Sequence, residues 1–220
     1  MSYKFTSKVS KKEAADVWLY TLLNSEDKVR PEWNRELTYF NTVSIDPATN
    51  NFAMRINRRY HDGKILPIAW VKESFKITDP KEINLKYKRI VDFLEKYSEV
   101  FQNCHYLIIE RQLHVNYVAL RISQTVITYF LRFPQIVIVE VDAKLKTKML
   151  NAPKKMNANQ VKVWAIDECK KIIDARGDQW SIQRFDWKPK GKKEKKDDLA
   201  DTVVQEEALF KLWGFPITVY

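Results

Sequence analysis

Three stretches of this sequence end in carboxylates that could share one chemistry. Asp46 closes the apolar run Tyr39-Phe40-Asn41-Thr42-Val43-Ser44-Ile45-Asp46, just before Pro47. Glu110 closes Tyr106-Leu107-Ile108-Ile109-Glu110, and Asp198 and Asp201 stand three apart in Lys196-Asp197-Asp198-Leu199-Ala200-Asp201-Thr202. A carboxylate at the end of an apolar strand is costly near a core unless a positive charge compensates it. Brought together, the three places would make a strongly anionic pocket. Divalent cations are the usual remedy, and hard oxygen ligands suit Mg²⁺ or Mn²⁺. Taken singly, each has an ordinary reading: an aspartate before proline starts a turn, and acidic residues open a helix because they meet its positive end.

The elements that must position these residues follow from periodicity. Residues 39–46 read as a strand. Asn50-Asn51 marks a turn, after which Phe52, Met54 and Ile56 alternate with Ala53, Arg55 and Asn57. His61-Asp62-Gly63-Lys64 marks a second turn, and 65–77 reads as the third strand of an antiparallel meander. Asp79-Pro80-Lys81-Glu82 opens a helix, carried by Ile83, Tyr87, Ile90, Leu94, Tyr97 and Phe101 at helical spacing. A fourth strand is expected over 105–110, a second helix over 113–131 and a fifth strand over 135–141. Asn157 caps a third helix that ends near Arg176-Gly177, and a last helix runs from Asp197 to Trp213 before Gly214. Residues 181–196 read as a basic loop. Ahead of the first strand, Ser10 with Glu13 fits a capping box, and Ala14, Val17, Trp18, Tyr20, Leu22 and Leu23 suggest a short amphipathic helix. The expected organisation is a helical extension over 1–38 and one α/β domain over 39–220. Its five-stranded mixed sheet has three antiparallel strands, then two parallel ones, with helices on both faces.

Composition narrows the partners. The 220 residues are 45% hydrophobic, enough for a sizeable core, yet no apolar run approaches a membrane span. The two cysteines, Cys104 and Cys169, are expected to be reduced and the chain intracellular. Net charge is +10, and between residues 144 and 196 there are 16 Lys and Arg against 6 Asp and Glu. That stretch holds the whole excess, so a polyanion, nucleic acid first, is the expected partner and a membrane is not. Four glycines and no G-x-x-x-x-G-K motif argue against a nucleotide-cradling loop. Three scattered histidines make no zinc site, although His114, four residues after Glu110, could approach the acidic cluster.

The element order, with Asp on the first strand, Glu on the fourth and D-x-x-D opening the last helix, resembles the RuvC-type Holliday-junction resolvases of the RNase H-like superfamily. Ser44-Ile45-Asp46-Pro47-Ala48 is similar to their first-strand motif, although Ala48 stands where that family usually has glycine. Leu107-Ile108-Ile109-Glu110-Arg111-Gln112 resembles their glutamate motif, and Lys196–Thr202 resembles the final motif of the branch from poxviruses and other large DNA viruses. The likeness covers roughly residues 39–213. It implies a metal-dependent endonuclease that cuts four-way DNA junctions in pairs, with Asp46, Glu110, Asp198 and Asp201 as catalytic metal ligands for two Mg²⁺ or Mn²⁺ ions. Two such ions activate water and stabilise the leaving oxygen. Asp197 and Asp198 can each share a helix face with Asp201, and the family's D-x-x-D pattern favours Asp198. It also implies a lysine near the scissile phosphate, with Lys144, Lys146, Lys154, Lys155 and Lys162 as candidates. Arg111, Gln112, Lys146, Lys154, Lys155, Lys162, Lys192, Lys193, Lys195 and Lys196 are expected to contact DNA. The two-fold symmetry of a junction implies a homodimer. For a virus, the host cytoplasm at sites of genome replication, or the virion, is the expected location. Other readings are a different RNase H-like nuclease, acting on other branched or hybrid nucleic acid, and a non-catalytic nucleic-acid-binding protein of this fold.

Overall fold

A computed structural model describes residues 18–22, 38–77, 82–187 and 195–215. Its strands are β1 (Trp18–Leu22), β2 (Tyr39–Asp46), β3 (Phe52–Tyr60), β4 (Ile65–Glu73), β5 (Tyr106–Glu110) and β6 (Val137–Val141). Its helices are α1 (Ile83–Glu95), α2 (Ser98–Phe101), α3 (Tyr117–Phe130), α4 (Leu145–Met149), α5 (Ala158–Ala175), α6 (Gln179–Asp186) and α7 (Asp197–Leu212). They form one sheet in the order β1-β6-β5-β2-β3-β4. β2, β3 and β4 pair antiparallel, while β2, β5 and β6 are parallel.

All five expected strands are present, and a sixth is added. Over Trp18–Leu22 the expected amphipathic helix is a strand, paired parallel to β6 from Trp18↔Val137 to Leu22↔Val141. A short apolar run fits either period, and the open edge of β6 offers backbone groups that a strand satisfies and a helix does not. The rest of that expected helix, Ser10 to Val17 and Leu23, lies outside the described residues, as do Asp79, Pro80 and Lys81.

Side-chain alternation sorts the sheet's two faces. Val43, Ile45, Met54, Ile56, Leu107, Ile109 and Ile138 pack against Ile90, Phe93, Leu94, Ile122 and Val126 of α1 and α3. On the opposite face Phe40, Trp70, Tyr106, Ile108, Val139 and Val141 meet Ala165, Cys169 and Ile172 of α5 and Leu199, Val203 and Phe210 of α7. Two helices are shorter or divided relative to the sequence reading. The first breaks after α1, where the turn at Tyr97 donates to Leu94 O, and resumes as α2. The second begins at α3, whose cap Asn116 accepts from Ala119 N.

α7 is the central support. It is buried on nearly all sides, including Gln205, Glu206 and Glu207, because it lies across the sheet beneath α4 and α5. Its polar residues are paired: Glu206 accepts from Thr42 Oγ1 at 2.8 Å and Asn57 Nδ2 at 2.7 Å. Glu207 is gripped by Arg59 and, at 2.5 Å, by Arg176. Burial would raise the Glu207 carboxyl, but these two guanidinium groups hold it below its ordinary value. Asn157 caps α5 as expected, and Gln160 completes a capping box with it. Gly177 and Gly214 follow α5 and α7 with φ of 61° and 74°, the left-handed conformation that ends a helix.

Candidate active site

The parallel register brings the first two carboxylates together. Thr42 pairs with Tyr106 and Ser44 with Ile108, so Asp46 and Glu110 end adjacent strands on the face that α7 covers. Ser44 Oγ donates to Thr202 O at 2.7 Å, and Gln205 Nε2 donates to Ser44 Oγ at 2.8 Å and Ile45 O at 3.0 Å. These bonds fix the first turns of α7 against the end of β2. In open α/β sheets this region, outside the carboxyl ends of parallel strands, is where ligands bind.

Lys146, on the short helix α4 that follows β6, completes the cluster. Its Nζ donates to Asp201 Oδ1 at 2.6 Å and to Glu110 Oε2 at 3.3 Å. Burial would lower the ammonium pKa, but Asp201, Glu110 and Asp46 raise it, so the group stays charged. Asp46 is half-buried, and desolvation pushes its carboxyl well above the ordinary range. The charges of Glu110, Asp201 and Asp198 add to this, and Lys146 opposes it. Asp201 is raised by burial against the pull of Lys146. One lysine among Asp46, Glu110 and Asp201 leaves the pocket under-compensated.

The other acidic residues of α7 divide by direction. Asp198 is buried and accepts from Lys72 Nζ of β4 at 3.0 Å, with Lys195 at 3.7 Å. Its carboxyl is raised by desolvation despite Lys72. Asp197 instead meets Lys195 at 3.1 Å and Lys162 at 3.2 Å, which hold it below its ordinary value against burial. Asp198, and not Asp197, therefore adds to the field on Asp46. Sequence reasoning missed Lys72. Nothing in the alternation of β4 distinguishes it from a solvated lysine.

The expected DNA contacts are dispersed. Lys154, Lys155 and Lys162 are exposed around the start of α5, and Lys155 takes a φ of 64°. Arg111 pairs with Asp142 at 3.1 Å, tying the exits of β5 and β6, and Gln112 Nε2 donates to Glu110 O at 3.0 Å. Lys196 lies 3.4 Å from Asp186, while Lys192 and Lys193 lie outside the described residues. Lys144 caps α4 without a role in the cluster. His114 is exposed on the loop before α3. Both cysteines are free and buried, and burial pushes their thiols up to about 12.

A donor set made only of carboxylate oxygen, with excess negative charge, fits Mg²⁺ or Mn²⁺ in chemistry. As the side chains stand, no three His, Cys, Asp or Glu among the described residues are drawn together closely enough to hold an ion. Lys146 bridges Glu110 and Asp201 in that place, so an ion would compete with the ammonium for their lone pairs.

No family model matches the chain. "Uncharacterized protein 97L" of Invertebrate iridescent virus 3 is 29% identical over 140 residues, 62% of this chain and 63% of that protein. The match thus spans less than two thirds of that relative's length. Among solved structures, RuvC of Thermus thermophilus is 12% identical, with 82% of this chain and 100% of that one covered, at a TM-score of 0.53. The yeast mitochondrial Holliday junction resolvase Ydc2 is 15% identical over 81% of this chain and 83% of its own, at 0.56. The Fowlpox virus resolvase, solved with substrate Holliday junction DNA, is 18% identical over 79% of this chain and 99% of its own, at 0.54.

The sheet, its flanking helices and these likenesses define the chain's class: it has the RNase H-like fold of the RuvC-type resolvases. The Fowlpox virus resolvase shares that fold. No helix among the described residues is long and apolar enough to cross a membrane.

Proposed function

We propose that this chain is a metal-dependent, structure-selective endonuclease that resolves four-way DNA junctions by paired phosphodiester hydrolysis. The observation that carries the reading is the convergence of Glu110 and Asp201 on Lys146, with Asp46 beside them, at the carboxyl ends of parallel strands. Asp46, on a central strand of the sheet, would hold the ions together with Glu110, Asp198 and Asp201. Bound there, two Mg²⁺ or Mn²⁺ ions would supply an activated water and charge stabilisation at the leaving oxygen. Lys146, kept protonated by its carboxylates, is the group to face the scissile phosphate and offset its developing charge. Lys72 orients Asp198 from β4.

Arg111, Gln112, Lys154, Lys155, Lys162, Lys192, Lys193, Lys195 and Lys196 would position branched DNA through its phosphates, so selectivity rests on junction shape. A homodimer would present two such sites to a two-fold junction. α1 and α3 leave Val91 and Val118 exposed. The reaction belongs inside the cell and, in a viral setting, in host cytoplasm where genomes replicate or in the virion.

Cleavage of an end-labelled four-way junction, with linear duplex as control, tests this in Mg²⁺, Mn²⁺ and EDTA. Paired symmetric nicks on the junction alone are expected, lost in EDTA and in Asp46→Asn, while Asp46→Asn still binds the junction. Cutting of duplex or hybrid instead would assign another RNase H-like nuclease, and binding without cutting in either metal would assign a non-catalytic DNA-binding protein.

A further inference from the structure

α6 carries an outer face that the nuclease chemistry does not use. Trp180 and Trp187 are seven residues apart, two helical turns, so they share one stripe with Gln183 and Arg184. Trp180 keeps 45% and Trp187 55% of its surface exposed. The four side chains line a shallow, open recess of about 520 Å³. A lone exposed indole needs no explanation; here two present their rings to one recess.

The inner face of α6 shows why the stripe is rigid. Phe185 stacks on Trp70 with ring centroids 5.4 Å apart and planes 3° apart. Buried Ser181 accepts from Arg55 Nη2 at 2.9 Å. With that side filled, the two tryptophans have only the solvent side to occupy. Arg184 also crosses inward, donating from Nε to Trp70 O at 3.1 Å, and its guanidinium lies 5.7 Å from the Trp187 ring.

The stripe is also coupled to the acidic site. Trp70 Nε1 donates to Leu199 O at 3.3 Å and Thr202 Oγ1 at 3.1 Å, both on the turn of α7 between Asp198 and Asp201 or next to it. Two residues along β4 from Trp70, Lys72 holds Asp198. Two cations lie close: Arg184 is within the stripe, and Lys196, paired with Asp186 at 3.4 Å, sits 4.8 Å over the Phe185 ring. In the sequence, Trp187 is followed at once by Lys188, Lys190, Lys192 and Lys193, with one acidic residue, Glu194, before Lys195.

Resting on the function proposed above, we infer that Trp180 and Trp187 form a stacking platform for unpaired DNA bases beside the cutting site. Every base offers a π-face to an indole, so such stacking tolerates any sequence, and Arg184 adds a cation beside the aromatic ring. In closed duplex the base faces are covered by their neighbours. The platform therefore favours the unstacked or single-stranded nucleotides that occur where strands branch. Arg184 and Lys196 favour a polyanion over an apolar peptide for the same indoles.

The test uses the full chain in EDTA, so that binding is read without cutting. Labelled oligo-dT and a blunt duplex of equal length are titrated by fluorescence anisotropy. Trp180→Ala and Trp187→Ala are each expected to weaken oligo-dT binding about tenfold and to leave duplex affinity within about twofold. Trp187→Tyr, which keeps a stacking ring, should retain most of the affinity. Melting followed by circular dichroism should be unchanged, because both indoles are surface groups. Unchanged oligo-dT affinity in the double alanine variant would overturn the proposal, as would an equal loss for both DNAs. A double variant that binds both DNAs normally but loses self-association in light scattering would assign the stripe to a second copy of the chain and overturn it too. Because no cleavage is scored, a chain that cuts nothing can still pass, and an active resolvase can still fail.

Discussion

Lys146 takes the place of a cation among acids, and that position makes two residue-scale predictions measurable without activity. Replacing it with methionine keeps the volume but leaves Glu110 and Asp201 uncompensated. Both carboxylates keep 21% of their side-chain surface exposed, so the expected destabilisation in EDTA is about 2 kcal/mol, below the cost for a fully buried pair. Added Mg²⁺ should recover more stability in Lys146→Met than in the wild type, read as the shift of the melting midpoint. Equal shifts would mean that lysine and metal do not share the site. Asp46 gives the second prediction. Its carboxyl is raised by burial first and then by Glu110 and Asp201, so the folded protein holds that proton more tightly than the unfolded chain does. The contribution therefore favours folding below the ordinary aspartate range of about 3.9 and is lost as pH rises through the raised value. In EDTA, Asp46→Asn, neutral at every pH, should melt higher than wild type at neutral pH. That gain should shrink as the buffer is acidified toward about pH 4. Superimposable midpoints across the range would remove charge strain from the description of the site.

At the scale of elements, α7 decides whether the site exists. Its first turns carry Asp198 and Asp201, while its later turns anchor it through Glu206 to Thr42 and Asn57 and through Glu207 to Arg59 and Arg176. Glu207→Ala would take from two buried guanidinium groups the carboxylate they share, leaving Arg59 with Glu206 at 3.7 Å. The expected loss is about 3–5 kcal/mol in denaturant unfolding, the cost of removing one partner from a buried ion pair. A loss below about 1 kcal/mol would show that water reaches those arginines. Helices α4 and α6 were not legible in the sequence. A five-residue helix is too short for periodicity to register, and six of the eight residues of α6 were absorbed into the basic loop read over 181–196. The strand β1 was misread as helix because its pairing partner, β6, lies more than a hundred residues further on.

For the whole molecule, the +10 net charge and its concentration between residues 144 and 196 predict salt-sensitive binding. Affinity for a four-way junction should fall linearly on a log–log plot against salt concentration. Substituting both Lys154 and Lys155, which are exposed, should lower that slope by about two if each meets a phosphate. An unchanged slope would take the start of α5 off the DNA path. Light scattering on the junction complex should give two chains per junction, and a single chain would contradict the symmetric arrangement.

By itself the sequence determined the parts whose signals are contiguous. Apolar runs defined β2 and β5 and alternation defined β3, and the carboxylates that end β2 and β5 stood out against those runs. The Asn157 cap opened α5, and Gly177 and Gly214 stopped α5 and α7. Helical spacing let both Asp197 and Asp198 share a face with Asp201, and the resemblance favoured Asp198. Tertiary structure alone decided which distant groups meet. Lys146 was one of five candidate lysines with no local mark to separate them. It reaches Glu110 and Asp201, 36 and 55 residues away, only because the parallel register and the lie of α7 bring β5, α4 and α7 to one point. Lys72 meets Asp198 across 126 residues for the same reason. Periodicity and capping are properties of neighbours in the chain. Charge compensation belongs to neighbours in space, and packing of the sheet against α7 chooses those.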